Sequence, residues 1–183
     1  MKIELSPQIN ILPIQAGDAD FLIDLMCKVY KDSYHDFWID GGDWYTQMIY
    51  NTSNIHKELK RVRSHYFFVE VEGEKVGILK YDFPFSPRET EIPNAMKLHR
   101  LYLSPKVHGK GIAVVLMKHI ETVASENDLD WIWLEAMDAK PQAKRFYEKN
   151  DYQIAHTYVL DFEHLKPEYR EIHIMKKKVP KRI

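Results

Sequence analysis

The chain has 183 residues, 45% hydrophobic and 29% charged, which suits a single globular domain over residues 1–183 and excludes a disordered chain. Its 26 basic and 27 acidic side chains leave a net charge of −1, so no global field draws it to nucleic acid or to an anionic membrane. One cysteine, Cys27, excludes an intrachain disulfide; no apolar run approaches the roughly 20 residues of a membrane span, Met1–Asn10 has no signal-peptide core, and a cytoplasmic location is expected.

Ile9–Ile14 reads as an edge strand, closed by Pro13 and the Gly17-Asp18 turn. Asp18 or Asp20 caps a helix over Ala19–Lys31, with Leu22, Leu25, Met26 and Val29 on its apolar face and Cys27 as a small buried hydrophobe. The aromatic stretch Tyr34-His35-Asp36-Phe37-Trp38 is irregular, and a helical region over Asp43–Lys60 follows the Gly41-Gly42 break. His65–Val71 and Val76–Phe83 are strands joined by the turn Glu72-Gly73-Glu74-Lys75. A proline-marked loop leads to the strand Ala95–Leu103, which ends at Ser104-Pro105.

Ala113–Glu126 is a helix with Leu116, Ile120, Val123 and Ala124 on one face. Trp131–Ala136 is a nearly continuous apolar run, as in a buried strand. Pro141 opens a helix to Lys149 with Ala143, Phe146 and Tyr147 inward. Tyr152–Phe162 and Tyr169–Lys177 close the chain as paired strands, and the basic run from Lys176 to Arg182 reads as a solvated terminus. Helices and strands alternate without internal repeats, so the fold class is mixed α/β with about seven strands.

Leu98–Ala113 carries the clearest chemistry. A strand, a turn and a glycine-spaced loop open a helix there, an order that aims backbone N–H groups from His108 to Ala113 at an anion. A phosphate loop of the GxxxxGK[ST] type is excluded, because Ile112 follows Gly111. A dinucleotide site has Gly109-Lys110-Gly111 after a strand and Glu135 at the next strand's end, but Val114 stands where a third small residue would be and would push the helix off the sheet. A plain helix N-terminus with glycines for a tight turn is the remaining alternative. The nine histidines show no HExxH or other close ligand pairing, so no metal is expected.

His108-Gly109-Lys110-Gly111-Ile112-Ala113 resembles the Q/R-x-x-G-x-G/A loop of the GNAT superfamily of acyl-CoA-dependent N-acyltransferases. Ala143-Lys144-Arg145-Phe146-Tyr147-Glu148-Lys149-Asn150-Asp151-Tyr152 resembles the same family's A-x-x-F-Y-E-K-x-G-F segment. Three positions depart from the pattern. His108 replaces Gln or Arg, Lys140 replaces a frequent Asn, and Asn150-Asp151 replaces a residue plus Gly, so that Asn150 or Asp151 must end the helix.

The resemblance implies a GNAT-like sheet that splays between the fourth and fifth predicted strands, and acetyl-CoA as co-substrate. The loop from His108 through Gly109, Lys110, Gly111 and Ile112 to Ala113 would hold the pyrophosphate. The backbone of Leu101, Tyr102 and Leu103 would hold the acyl-pantetheine, with Lys140, Phe146 and Tyr147 completing the coenzyme site. Tyr147 aligns with the tyrosine that protonates the leaving thiolate. His99 is the preferred base, ahead of Glu135, and Lys97 is a poor base unless desolvated. Tyr34, Asp36, Phe37 and Trp38 combine aromatic walls with a carboxylate, which suits a cationic acceptor; the layout resembles the bacterial polyamine acetyltransferase branch. The implied activity is N-acetyl transfer to a primary amine of a small molecule or peptide in a ternary complex, and a homodimer is compatible with it. The alternatives are a non-catalytic acyl-CoA-binding module on the same fold and the dinucleotide binder.

Overall fold

Glycine, proline and asparagine set the ends of most elements in the computed structural model, which describes residues 1–88 and 90–180. The strands are β1 (Ile3–Ser6), β2 (Ile9–Pro13), β3 (Ser64–Val71), β4 (Glu74–Asp82), β5 (Ala95–Leu103), β6 (Trp131–Met137), β7 (Gln153–Val159) and β8 (Glu171–Lys178). The α-helices are α1 (Ala19–Tyr34), α2 (Asp43–Ile49), α3 (Thr52–Leu59), α4 (Ile112–Glu126) and α5 (Pro141–Lys149). The fold is mixed α/β with eight strands among the described residues, one more than the hydrophobic pattern reveals. The extra strand, β1, pairs antiparallel with β2, so β2 is not an edge. Four residues are too few for a legible alternation.

The chain divides into two compact units, residues 1–81 with 100–119, and residues 82–99 with the segment from Ile120 onward. In the first, β1, β2, β3 and β4 are successive neighbours. The β2–β3 register runs antiparallel from Ile9↔Val71 to Pro13↔Phe67. Helix α1 packs on α2 and α3, and α3 packs on β3. Ile11, Leu22, Met26, Ile55, Phe68, Ile78 and Leu116 are buried in this unit.

Helix α1 starts without a side-chain cap. Asp18 instead accepts from the Gln15 N–H (2.8 Å) in the 3-10 turn Ala16–Asp18. Cys27 is half-buried. The region expected as one helix breaks at Tyr50-Asn51, where the Asn51 side chain caps α3 by accepting from the Asn54 N–H (2.9 Å).

Gly77 of β4 is a close-approach glycine. A Cβ there would lie 2.0 Å from the Tyr102 carbonyl oxygen and 3.0 Å from the Leu103 Cα. Gly77→Ala is therefore expected to cost about 2–3 kcal/mol through backbone displacement. Urea unfolding checks this, and an unchanged midpoint would show that the strands are not so close.

In the second unit the neighbours are β5, β6, β8 and β7 in that order. Strand β5 pairs in parallel with β6 from Ala95↔Trp131 to Leu98↔Leu134, and the ladder stops there. Strand β6 continues to Met137, paired with β8 as far as Met137↔Ile172. Ile92, Ala95, Trp133 and Ile174 form the core, with Trp131, Ala155 and Tyr158 packed on it. The basic run is not a loose end: β8 extends to Lys178, Lys177 pairs with Glu121 (2.6 Å), the Lys176 ammonium lies 4.7 Å from the Trp131 ring centroid, and Val179 is buried. Lys181 and Arg182 lie outside the described residues. Asp151, at φ +66°, takes the left-handed position that ends α5, while Asn150 donates its side-chain N–H to the Phe146 carbonyl (2.7 Å). Among the described residues no helix is long and apolar enough to cross a membrane.

Candidate active site

In the first unit, β5 ends at Leu103 and Pro105–Val107 form a 3-10 turn anchored by buried Val107. The His108 N–H closes that turn on the Pro105 carbonyl (3.2 Å), so it is not one of the outward donors. Gly109 and Gly111 both adopt left-handed backbone, at φ +75° and +77°. A Cβ on either would meet nothing within 4 Å, so backbone conformation rather than crowding calls for glycine. Both the Val114 and Val115 N–H groups return to the Gly111 carbonyl (3.1 and 3.2 Å). Among the described residues no backbone acceptor takes the N–H of Gly109, Lys110, Gly111 or Ile112. These donors sit at the positive end of a 15-residue helix, an arrangement suited to phosphate.

Two sequence expectations change here. The exposed His108 donates its Nε2–H to the Leu103 carbonyl (3.0 Å), so the ring ties the loop back to β5. Val114 is exposed, not pressed between helix and sheet, so it does not argue against a dinucleotide.

The end of β5 presents its backbone unevenly. The Tyr102 carbonyl faces Gly77, and the Ser104 N–H donates to the Val76 carbonyl (2.7 Å). Tyr102 and Ser104 therefore turn their main chain toward β4, and by alternation Leu101 and Leu103 turn theirs away from it. Of the three expected residues, Leu101 keeps this backbone edge and Leu103 keeps its N–H, its carbonyl being taken by His108.

Tyr34, Phe37 and Trp38 belong to an aromatic assembly. Tyr34 stacks on Tyr30 (4.8 Å between centroids) and meets Phe37 and Tyr102 edge-on. Tyr45 stacks on both Tyr30 and Trp38. Trp38 is 3% exposed and donates Nε1–H to the Tyr30 hydroxyl (3.0 Å). It is a core residue and not an acceptor wall, because its indole N–H found a buried partner eight residues upstream. Asp36 is exposed beside His35 (3.0 Å). Arg100 makes a two-pronged pair with buried Glu58 (2.7 and 2.8 Å) and reaches the Tyr66 hydroxyl (3.3 Å).

In the second unit, His99 Nε2 lies 3.2 Å from Asp82 Oδ2, with side chains 19% and 4% exposed. The Phe85 ring meets the imidazole edge-on at 5.2 Å. Glu135 is exposed but engaged: it accepts from the Lys97 ammonium (2.9 Å) and the Tyr158 hydroxyl (3.1 Å). Lys97 also lies over the Trp133 ring at 4.4 Å. Both carboxylate oxygens of Glu135 are thereby already engaged, Oε2 by Lys97 and Oε1 by Tyr158.

Tyr147 is half-buried between Phe146 (5.4 Å) and Tyr152 (5.8 Å), and loss of hydration pushes its hydroxyl up to about 12. Lys140 sits at the N-cap of α5, its N–H on the Met137 carbonyl (3.1 Å). Asp138, Glu171 and His173 bring metal-ligand atoms within 4.8 Å of one another. The Lys144 ammonium stands among them, 3.0 Å from Asp138 and 3.4 Å from His173, so the chain supplies its own cation there.

Sequence reasoning missed Asp82, Glu58, Arg100 and the Tyr30–Tyr45 stack. Each depends on a partner distant in sequence, and no local motif marks it.

The model of the Acetyltransferase (GNAT) family matches residues 23–152. A relative from Lactobacillus delbrueckii subsp. lactis, described as an uncharacterized N-acetyltransferase in the pepI 3′ region, is 26% identical over 140 residues, 76% of this chain and 81% of the relative. The PaiA N-acetyltransferase of Thermoplasma acidophilum, solved with coenzyme A, superposes with a TM-score of 0.70 at 19% identity, covering 93% of this chain and 98% of that one. The spermidine N-acetyltransferase of Vibrio cholerae, solved with coenzyme A and spermine, gives 0.68 at 16% identity, covering 95% and 97%.

Proposed function

The chain belongs to the GNAT acetyltransferase family, and from that premise we propose that it transfers an acetyl group from acetyl-CoA to a primary amine, polyamine-like, amino-acid-like or peptidic, by direct attack in a ternary complex. The observation that supports this best is the loop with two left-handed glycines, whose N–H groups from Gly109 to Ile112 have no backbone acceptor among the described residues. Such a loop fits a pyrophosphate, and the family match favours coenzyme A over a dinucleotide as its source.

Acetyl-CoA supplies the activated thioester. Gly109 to Ala113 hold its phosphates, and the main chain of Leu101 and the N–H of Leu103 offer hydrogen bonds to its arm. His99 takes the proton that the acceptor nitrogen must lose. An alkylammonium of pKa 10.4 needs about 4.6 kcal/mol to be neutral at pH 7, so a nearby base matters. As the new C–N bond forms and the C–S bond breaks, Tyr147 donates a hydrogen bond to the departing sulfur, and the second proton shed by the nitrogen ends on that sulfur, so that CoA leaves as the thiol. With the phenol at about 12 and a thiol near 8.5, full proton transfer is uphill by about 5 kcal/mol. Tyr147 therefore acts mainly as a hydrogen-bond donor to the thiolate.

Tyr147→Phe is expected to lower kcat about 10- to 100-fold, the worth of a hydrogen bond to a charged group, with KM for acetyl-CoA within about twofold. The raised phenol also predicts that wild-type kcat shows no tyrosine ionisation between pH 7 and 10. Steady-state kinetics across that range check both, and unchanged turnover in the variant would remove Tyr147 from the chemistry.

Exposed Asp36, with Tyr34 and Phe37, is the proposed acceptor-facing group, and a carboxylate beside aromatic rings favours a cationic amine. CoA release over a panel of spermidine, spermine, free amino acids and an N-terminal serine peptide tests the proposal. Turnover with at least one amine is the expected result. Acetyl-CoA binding without turnover on any of them would leave a binding module.

A further inference from the structure

The ion pair of Lys144 with Asp138 takes no part in the chemistry described so far. We propose that Lys144 is a positioning residue for Tyr147: Asp138, backed by His173, holds its ammonium, and that clamp seats α5 so that the Tyr147 hydroxyl meets the departing sulfur. This rests on the reading above that Tyr147 is the hydrogen-bond donor.

Helix α5 has few anchors. It is nine residues long, and none of them is buried; Ala143, Phe146 and Tyr147 are half-buried. A helix this short is marginal on its own and keeps its place through tertiary contacts. Its far end is fixed by buried Tyr152, whose N–H returns to the Tyr147 carbonyl (3.0 Å). Lys144 fixes the near end. Residues three apart share a helix face, so Lys144 and Tyr147 stand one turn apart on the same side. Among the described residues no side chain hydrogen-bonds the Tyr147 hydroxyl, so the seat of α5 is what aims it.

The clamp is a chain of bonds from β7 through β8 and the turn after β6 to α5. His173 of β8 is buried. Its Nδ1 pairs with the hydroxyl of Thr157 on β7 (2.8 Å), and its Nε2 lies 2.9 Å from Asp138 Oδ1. The bonds from His173 and Lys144 hold the Asp138 carboxyl below its ordinary range, so it is ionised and only accepts. Nε2 therefore carries the proton of that contact, and both ring nitrogens are engaged. The same Oδ1 receives the Lys144 ammonium (3.0 Å), while the Asp138 N–H donates to the Glu171 carbonyl of β8 (3.1 Å). Asp138 is thus tied to β8 by main chain and side chain alike. A lone ion pair with side chains 27% and 47% exposed would hold a helix weakly. Here the carboxylate is anchored before the ammonium reaches it, so the pair fixes a position.

The test uses the full chain and two readouts. The first is kcat from CoA release, with saturating acetyl-CoA and the fastest acceptor of the panel above. Lys144→Met should lower kcat about tenfold, because a misplaced donor loses much of its contact with the sulfur. In a Tyr147→Phe background the same change should cost less than about twofold, since no hydroxyl remains to aim. Asp138→Asn should behave as Lys144→Met does, and Lys144→Arg, which keeps a charged donor, should stay within about twofold of wild type. The second readout, hydrogen exchange, needs no acceptor. In Lys144→Met the Phe146 and Tyr147 amides should exchange about tenfold faster, with those of α4 at the wild-type rate. Equal losses of kcat in both backgrounds would overturn the proposal, as would wild-type exchange across α5. Unchanged kcat in Tyr147→Phe, or no turnover with any acceptor, would instead overturn the donor reading itself. A slow Tyr147→Phe beside an unimpaired Lys144→Met would sink the Lys144 role alone.

Discussion

Glu58→Ala is expected to destabilise the protein by about 3–5 kcal/mol, because it strands a buried guanidinium. Glu58 and Arg100 meet through two hydrogen bonds of 2.7 and 2.8 Å, with side chains 10% and 11% exposed. The Tyr50 and Tyr66 rings lie 5.4 and 5.6 Å from the guanidinium carbon, so little water can replace the lost carboxylate. Replacing both partners, as in Glu58→Leu with Arg100→Met, should return stability to near the wild-type value, since neither charge then needs a partner. Urea unfolding of the two single variants and the double variant measures the coupling. A loss under about 1 kcal/mol in Glu58→Ala would mean that the pair behaves as a surface ion pair.

His99→Gln is expected to lower kcat about 100- to 10,000-fold, the range for loss of a positioned general base. Glutamine keeps a polar side chain of similar length beside Asp82, so the fold should persist. KM for acetyl-CoA should stay within about twofold, because the proposed coenzyme contacts lie on other residues. The deficit should shrink as pH rises, because a growing share of the amine arrives already neutral. Steady-state rates from pH 7 to 10 check this, and a deficit independent of pH would mean that His99 serves packing and not proton transfer.

The segments that carry the proposed chemistry were the most legible in the sequence. Strand β5 begins and ends at Ala95 and Leu103 as expected, and α5 runs from Pro141 to Lys149. Both are bounded by proline and by glycine-like punctuation that fixes backbone angles locally. Helix α4 begins one residue earlier than its apolar face suggests. The break between α2 and α3 was not legible, since Tyr50-Asn51 contains neither glycine nor proline and only the Asn51 cap separates the helices.

Side-chain partners were the least legible. Glu58 and Arg100 stand 42 residues apart, and no periodicity encodes such a pair. Composition placed Trp38 at an acceptor wall, yet the Tyr30 hydroxyl satisfies its indole N–H and draws it inside. The Tyr102 main chain could not be assigned from sequence either, because its direction is set by the close approach of Gly77. The motif resemblance picked out a group of residues and left open which of their atoms face outward.

The most direct measurement is an isothermal titration of the full chain with acetyl-CoA, run beside NAD. The account predicts saturable one-site heat with acetyl-CoA and none with NAD. Heat with NAD and none with acetyl-CoA would contradict it.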